Sequence, residues 1–177
     1  MDNEKRMKKN KDLTTQEEKT TYILFVCLGN ICRSPAAEGI MQHLVKQRGL
    51  EACYHIDSAG TYGGHAGNLP DRRMRAAAAR RGYLLEHRAQ RVTSDMISKY
   101  DYIVAMDDHN YYDLCEIAPT PEDEKKIYRM ADYCRHYTAS HIPDPYYEGA
   151  DGFEYVLNLL EDACEGMLDA LENPRHD

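Results

Sequence analysis

The chain has 177 residues, with 22 Lys and Arg against 30 Asp and Glu, giving a net charge of -8 and a pI near 5.5. That length suits one domain, and 42% hydrophobic with 29% charged residues allows a packed core and argues against a disordered chain. The acidic balance argues against a nucleic-acid binder, yet it leaves phosphate-bearing substrates open, because a nest of backbone N–H groups attracts an anion inside an acidic protein.

Residues 1–20 are mostly Lys, Glu, Asp, Asn and Thr without an apolar stretch, so a polar, mobile arm and no secretory signal are expected there, followed by one domain over 21–177. Tyr22-Ile-Leu-Phe-Val26 is a continuous apolar run of strand length, the pattern of a strand buried on both faces. A short loop from Cys27 to Arg33 follows. Ser34-Pro35 is expected to open a helix, Ser as its cap and Pro at its first position, with Ala36, Ala37, Ile40, Met41, Leu44 and Val45 at helical spacing and Gly49 as its stop.

A second strand is expected near Cys53 to Asp57, and the Gly-rich stretch Ala59 to Pro70 reads as a surface loop. Arg72 to Arg81 is helical in composition, with Gly82 ending it. Tyr100 to Met106 reads as a third strand, Asp107 to Ile117 as a helix with an acidic first turn, and Lys126 to Met130 as a fourth strand. Pro143-Asp144-Pro145 is a stiff loop, and Phe153 to Leu171 an amphipathic helix. Strands alternating with helices predict a single-domain, three-layer α/β/α fold with a four-stranded parallel sheet and helices on both faces, its active loops at the carboxyl ends of the strands.

Chemistry concentrates in Val26-Cys-Leu-Gly-Asn-Ile-Cys-Arg-Ser-Pro35. A strand delivers Cys27 to a loop that becomes a helix N-terminus, where free N–H groups and the helix dipole favour negative charge. Gly29 and Asn30 can take left-handed or otherwise unusual backbone angles, which a loop wrapping a tetrahedral anion needs. A thiol so placed ionises well below its usual ~8.5 and becomes a nucleophile without a His base. Arg33, six positions on, offers a planar fork for two phosphate oxygens. Chance produces C-x5-R-[ST] in roughly 3% of chains with this many cysteines, so the strand before it and the helix after it carry the argument. Such chemistry still requires an acid for the leaving group. Asp144, held between two prolines, is the expected source, with Tyr146 and Tyr147 beside it to wall a slot for an aromatic ring.

This segment resembles the signature loop of the low-molecular-weight protein tyrosine phosphatases. The resemblance runs from about Tyr22 to Glu172, through Asp57-Ser-Ala-Gly-Thr61, His87-Arg-Ala89, Tyr102-Ile-Val-Ala-Met-Asp107 and Asp144-Pro-Tyr-Tyr147. It implies that Cys27 attacks phosphorus to form a cysteinyl-phosphate, held by Arg33 and the amides of Leu28, Gly29, Asn30, Ile31, Cys32 and Arg33. It further implies that Ser34 stabilises the departing thiolate, that Asn30, Ser58 and His87 form a supporting network, and that Asp144 serves as acid and then base. Cys32 is implied as a redox partner of Cys27 that makes peroxide inactivation reversible. The family commonly has an aromatic residue where this chain has Gly64; Tyr62 or His65 is the substitute to look for.

No metal and no cofactor are expected, since thiolate, amides and guanidinium supply the charges, and no C-x2-C zinc spacing occurs among Cys27, Cys32, Cys53, Cys115, Cys134 and Cys164. Reduced thiols point to the cytoplasm, and the absence of any run near ~18 apolar residues argues against membrane partners. The expected substrates are phosphotyrosine proteins or small aryl phosphates, with inorganic phosphate as product. Three rivals stand: an arsenate reductase on the same fold, which needs further redox cysteines; a phosphoarginine phosphatase, which tends to carry Thr where this chain has Ile31; and a non-catalytic phosphate-binding module.

Overall fold

A computed structural model of the protein describes residues 19–174, so all but the last two residues of the expected arm lie outside the described residues. Along the chain run β1 (Thr21–Cys27), α1 (Arg33–Gln47), β2 (Tyr54–Gly60), α2 (Arg72–Arg80), α3 (Ser94–Lys99), β3 (Tyr102–Ala105), α4 (Asp108–Ile117), α5 (Pro121–Glu124), β4 (Ile127–Arg129) and α6 (Ala150–Glu172), with 3-10 turns at Glu51–Cys53 and Met130–Tyr133. The four strands form one parallel sheet in the order β2-β1-β3-β4.

β1 is central, and Ile23, Leu24, Phe25 and Val26 are wholly buried. Strand alternation sends Ile23, Phe25 and Val104 into one core and Leu24, Val26 and Ile103 into the other. Helices α1, α2 and α6 cover the first face through Ile40, Met74 and Leu160, while Ile97 of α3 and Leu114 of α4 cover the second. The sheet is thus sandwiched between helix layers, as the alternating pattern predicted. Helix α1 stops at Gly49, whose φ of 68° suits glycine; its N–H bonds Lys46 O, and that of Leu50 bonds Val45 O.

Several local expectations shift. Helix α1 begins at Arg33, with Cys32 as its cap and no side-chain cap bond, so Ser34 is not the cap and Pro35 is not first. First-turn N–H groups have no intrahelical acceptor, so Pro is tolerated there and the Ser34 hydroxyl is released for other work. Strand β2 extends through Ser58-Ala59-Gly60, expected as strand end and loop, because Gly60 still pairs in register with Cys27. Strand β3 starts only at Tyr102: Tyr100 caps α3 by donating its N–H to Met96 O, and the Asp101 carboxylate accepts the Tyr22 N–H at 2.8 Å. Helix α3, capped by Thr93, and α5, capped by Thr120 with Pro121 next, are short helices that hydrophobic periodicity did not reveal.

Beyond the sheet, the segment 135–137 is held by one carboxylate. Asp162 of α6 accepts the N–H groups of Arg135, His136 and Tyr137 at 3.1, 3.0 and 2.9 Å. Burial alone would raise its pKa, but the three N–H bonds together outweigh it and the pKa is lowered. The resulting stabilisation is present above the ordinary value of 3.8 and is lost as pH falls below it. Asp162→Ala is expected to reduce the unfolding free energy by roughly 2–4 kcal/mol at pH 7. Denaturant titration checks this, and a loss under roughly 0.5 kcal/mol would refute the role.

Candidate active site

The loop Cys27–Cys32 leaves the carboxyl end of β1 with four of its six carbonyls engaged by other segments. Thr61 N–H donates to Cys27 O at 3.0 Å, Tyr62 N–H to Leu28 O at 2.8 Å, Asp71 N–H to Ile31 O at 2.7 Å and Ala36 N–H to Cys32 O at 3.3 Å. From Leu28 to Arg33, by contrast, no backbone N–H has an acceptor among the described residues. Asn30 is the one described non-glycine residue with positive φ, at 56°. Gly29 does not share the positive φ; its lack of a side chain admits the His65 ring, which a Cβ would meet at 3.0 Å.

The cavity at this loop measures about 230 Å³ and is lined by Cys27, Leu28, Gly29, Ile31, Cys32 and Arg33, by Tyr62 and His65 from the loop after β2, and by Asp144, Tyr146 and Tyr147. The residues expected to carry chemistry therefore converge. Asn30, Ser34, Ser58 and His87 do not line the cavity; Asn30, at 1% exposure, faces inward. Arg33 is equally buried, and its Nη1 donates to Asp107 Oδ2 at 2.6 Å and to Ile142 O at 3.0 Å. Its Nη2 lies 3.7 Å from Asp144 Oδ2, so Nε and Nη2 remain for an oxyanion. Burial would lower the Arg33 pKa, but Cys27, Asp107 and Asp144 outweigh it and keep the guanidinium charged. Asp144 in turn accepts the Tyr146 N–H at 3.1 Å, a turn that holds its carboxyl at the cavity.

Asn30 organises the floor. Gln90 N–H donates to its Oδ1 at 3.0 Å, which fixes the amide orientation, so Nδ2 donates to Ser34 Oγ at 2.8 Å and Ser58 Oγ at 3.0 Å. The His87 Nε2, 2.8 Å from the same Oδ1, must then carry hydrogen. Ser34 Oγ accepts from Asn30, and its own proton faces Cys27 Sγ at 3.0 Å, the shorter contact, and Ala59 O at 3.4 Å. Ser58 Oγ donates a hydrogen bond to Glu38 at 3.1 Å, and His87 Nδ1 sits 3.2 Å from Glu38 and 3.4 Å from Asp57.

Tyr62 and His65 meet edge to face, and a Cβ on Gly64 would lie 2.1 Å from the Tyr62 hydroxyl. Tyr62 thus lies against the position where an aromatic residue was expected. Tyr146 and Tyr147 also meet edge to face, with Tyr147 almost fully exposed at the cavity mouth.

Comparison with known proteins decides the family. The model for "Low molecular weight phosphotyrosine protein phosphatase" matches residues 22–176. The chain belongs to that family. A Synechocystis sp. protein named for this class of phosphatase is 45% identical over 149 residues, covering 84% of this chain and 95% of its own. Among solved structures, an Entamoeba histolytica protein tyrosine phosphatase superposes with a TM-score of 0.84 at 44% identity, over 86% of this chain and 97% of that one. A Drosophila arginine phosphatase gives 0.81 at 32%, over 86% and 99%.

For this family member, sequence reasoning overlooked Asp107, Glu38 and Gln90 as parts of the site. Asp107 caps α4 by accepting the Asn110 N–H at 2.8 Å while its other oxygen holds Arg33. Its acid at a helix start was the legible signal; its second partner is 74 residues away. Of the cysteines outside the loop, Cys115 and Cys134 pack on opposite faces of the sheet, so they do not form the additional redox pair an arsenate reductase requires. Glu38, Asp57 and His87 bring ligand-type atoms within 4.8 Å of one another, but His87 and Glu38 are already engaged by Asn30 and Ser58, which suits a hydrogen-bonded network better than an ion site.

Burial and the adjacent Asp57 carboxylate push Glu38 up to about 8, so the pair holds a proton at neutral pH. A carboxyl raised in the folded state supports stability below its unfolded value of 4.5 and loses that support as pH rises to about 8. Glu38→Gln, neutral throughout, is expected to unfold with a flatter pH dependence across that window than the parent. Parallel urea midpoints for the two proteins at every pH would count against this.

Proposed function

We propose that this chain hydrolyses phosphotyrosine and other aryl phosphate monoesters through a cysteinyl-phosphate. The observation that carries the reading is the convergence of Cys27, the unengaged N–H groups at the start of α1, Arg33 and Asp144 on one cavity. The helix N-terminus and the Ser34 hydroxyl favour negative charge on the Cys27 sulfur.

In the first step Cys27 Sγ attacks phosphorus along the line of the ester bond. A P–S bond forms, the P–O bond to the phenol breaks, and Asp144 delivers its proton to the phenolic oxygen. The amides of Leu28, Gly29, Asn30, Ile31, Cys32 and Arg33, with Nε and Nη2 of Arg33, hold the equatorial oxygens as charge redistributes. In the second step Asp144 takes a proton from water, the oxygen attacks phosphorus, the P–S bond breaks, and Ser34 hydrogen-bonds the departing sulfur. Asn30, Ser58 and His87 keep the loop in shape. Tyr62, Tyr146 and Tyr147 wall the aromatic ring.

The apolar Ile31 beside the cavity supports an aromatic over a guanidinium leaving group; turnover of phosphotyrosine, phosphoarginine and aryl phosphate substrates separates these. Six free cysteines support a reducing, cytoplasmic setting, and no described helix is long and apolar enough to cross a membrane. Phosphotyrosine proteins are the proposed partners, with no nucleic acid, and catalysis is proposed to need no metal or cofactor, so full activity should persist in a chelator.

Asp144→Asn is expected to lower kcat by roughly 10²–10³ and to remove the basic limb of the pH profile. Cys27→Ser should be inactive, and a variant that still turns over would overturn the nucleophile. Peroxide is proposed to oxidise Cys27 to its sulfenic acid; the Cys32 sulfur then attacks that sulfur, the S–O bond breaks, and the hydroxyl leaves as water with the Cys32 proton as the disulfide forms. Burial and the Asp71 carboxylate raise the Cys32 pKa, so closure should be slow at neutral pH and faster in alkali. Cys32→Ala should recover poorly after peroxide; recovery equal to the parent rejects the pairing.

A further inference from the structure

Most described arginines face a carboxylate, but Arg72, Arg75, Arg88 and Arg91 pair with none among the described residues. Three of these four line one groove of about 700 Å³ beside α2. Arg72, Arg75, Ala76 and Ala79 share one helical face by their i, i+3, i+4 and i+7 spacing. Leu69 and Leu84 add apolar surface at the groove, Leu84 being 77% exposed. Glu86 is the sole acidic residue in the lining. In a chain of net charge -8, a concentration of unpaired cations around apolar side chains is a site of electrostatic complementarity.

Two of these guanidiniums are anchored to the loop that also walls the active site. Arg88 Nη1 donates to Gly67 O at 3.0 Å and Arg75 Nε to Pro70 O at 3.1 Å, leaving their remaining N–H groups for a partner. Leu69 follows His65 of the cavity wall by four residues, so the chain alone holds them within ~14 Å. A substrate strand extending ~3.3 Å per residue covers that span in about four to six residues.

We propose that this groove docks an acidic, leucine-type apolar stretch of the substrate lying about four to six residues from the phosphotyrosine. The inference rests on the phosphatase reading and adds substrate class to it. Acidic side chains meet Arg72, Arg75 and Arg88, while an apolar one packs beside Leu69, Leu84 and Leu85. The contact lies away from the reacting atoms, so it lowers KM and leaves kcat unchanged.

The test measures kcat and KM for phosphotyrosine peptides of equal length carrying a Glu-Leu-Glu or a Ser-Ala-Ser tail, on either side, with a small aryl phosphate as reference. The parent should show a KM roughly 5- to 20-fold lower for an acidic tail, a preference that shrinks in ~1 M salt. Arg72→Glu/Arg75→Glu should lose it, and so in smaller measure should Arg72→Glu alone, whose guanidinium bonds nothing among the described residues, while both keep parental aryl phosphate turnover. Equal KM values for both tails on both sides overturn the proposal, as does a preference that survives the double substitution. A concentration-dependent dimer abolished by the same substitutions would assign the groove to a second copy and equally overturn it. Failure of the parent on every phosphate ester would instead reject the phosphatase reading; titration of the unphosphorylated acidic peptide against parent and double variant then decides the groove, weaker binding to the variant supporting it and equal binding overturning it.

Discussion

A backbone loop can offer its N–H groups to an anion when its carbonyls are satisfied elsewhere, and the structure around Cys27 is arranged to satisfy them. Four carbonyls of the loop accept from Thr61, Tyr62, Asp71 and Ala36, which belong to the edge beyond β2, the start of α2 and the body of α1. Three separate elements therefore pin a segment of six residues, and the free N–H groups become a consequence of sheet and helix placement. Register is part of this. Gly60 stands opposite Cys27, and a Cβ there would meet Leu28 O at 2.6 Å. A one-residue slip would bring a larger side chain against the loop and reverse both faces of β1.

The same logic extends to charge. A buried guanidinium costs several kcal/mol unless paired and hydrogen-bonded. Arg33 meets both conditions with a single nitrogen, through Asp107 and Ile142 O. Asp107 is itself held as the cap of α4, and the Ile142 N–H donates to Met106 O at the end of β3. The segment carrying Asp144 and the Arg33 guanidinium are thereby referenced to the same strand end, which sets the separation of Asp144 from Arg33 Nη2.

Features set by neighbouring residues were legible in the sequence, and features set by distant ones were not. The buried strand, the loop containing Asn30 and the glycine stop of α1 follow from local sterics and periodicity, and the structure places each as read. Ser34 shows the limit: a Ser-Pro pair is a fair cap signal, yet an Asn30 amide oriented by Gln90, 60 residues away, claims that hydroxyl for the sulfur. Glu38 was a polar residue in an apolar helix with no local explanation; its explanation is Ser58, Asp57 and His87 from other elements. Helices α3 and α5 escaped because six and four residues are too few to display a period, and their Thr caps were the sole usable marks.

The cavity wall illustrates how small residues redistribute a function along the chain. Where an aromatic residue was expected, Gly64 leaves space for the ring of Tyr62 to fold back, and the His65 ring in turn leans on Gly29 of the anion loop. The two glycines are coupled through one edge-to-face pair: filling position 64 would displace Tyr62 before it could line the slot, and filling position 29 would lift His65 away from the loop. Aromatic surface beside Cys27 is thus supplied by Tyr62, with an imidazole added where the Cys27–Cys32 loop meets the wall. The shape of that wall is therefore set by Gly29 and Gly64 together, through the paired rings of Tyr62 and His65.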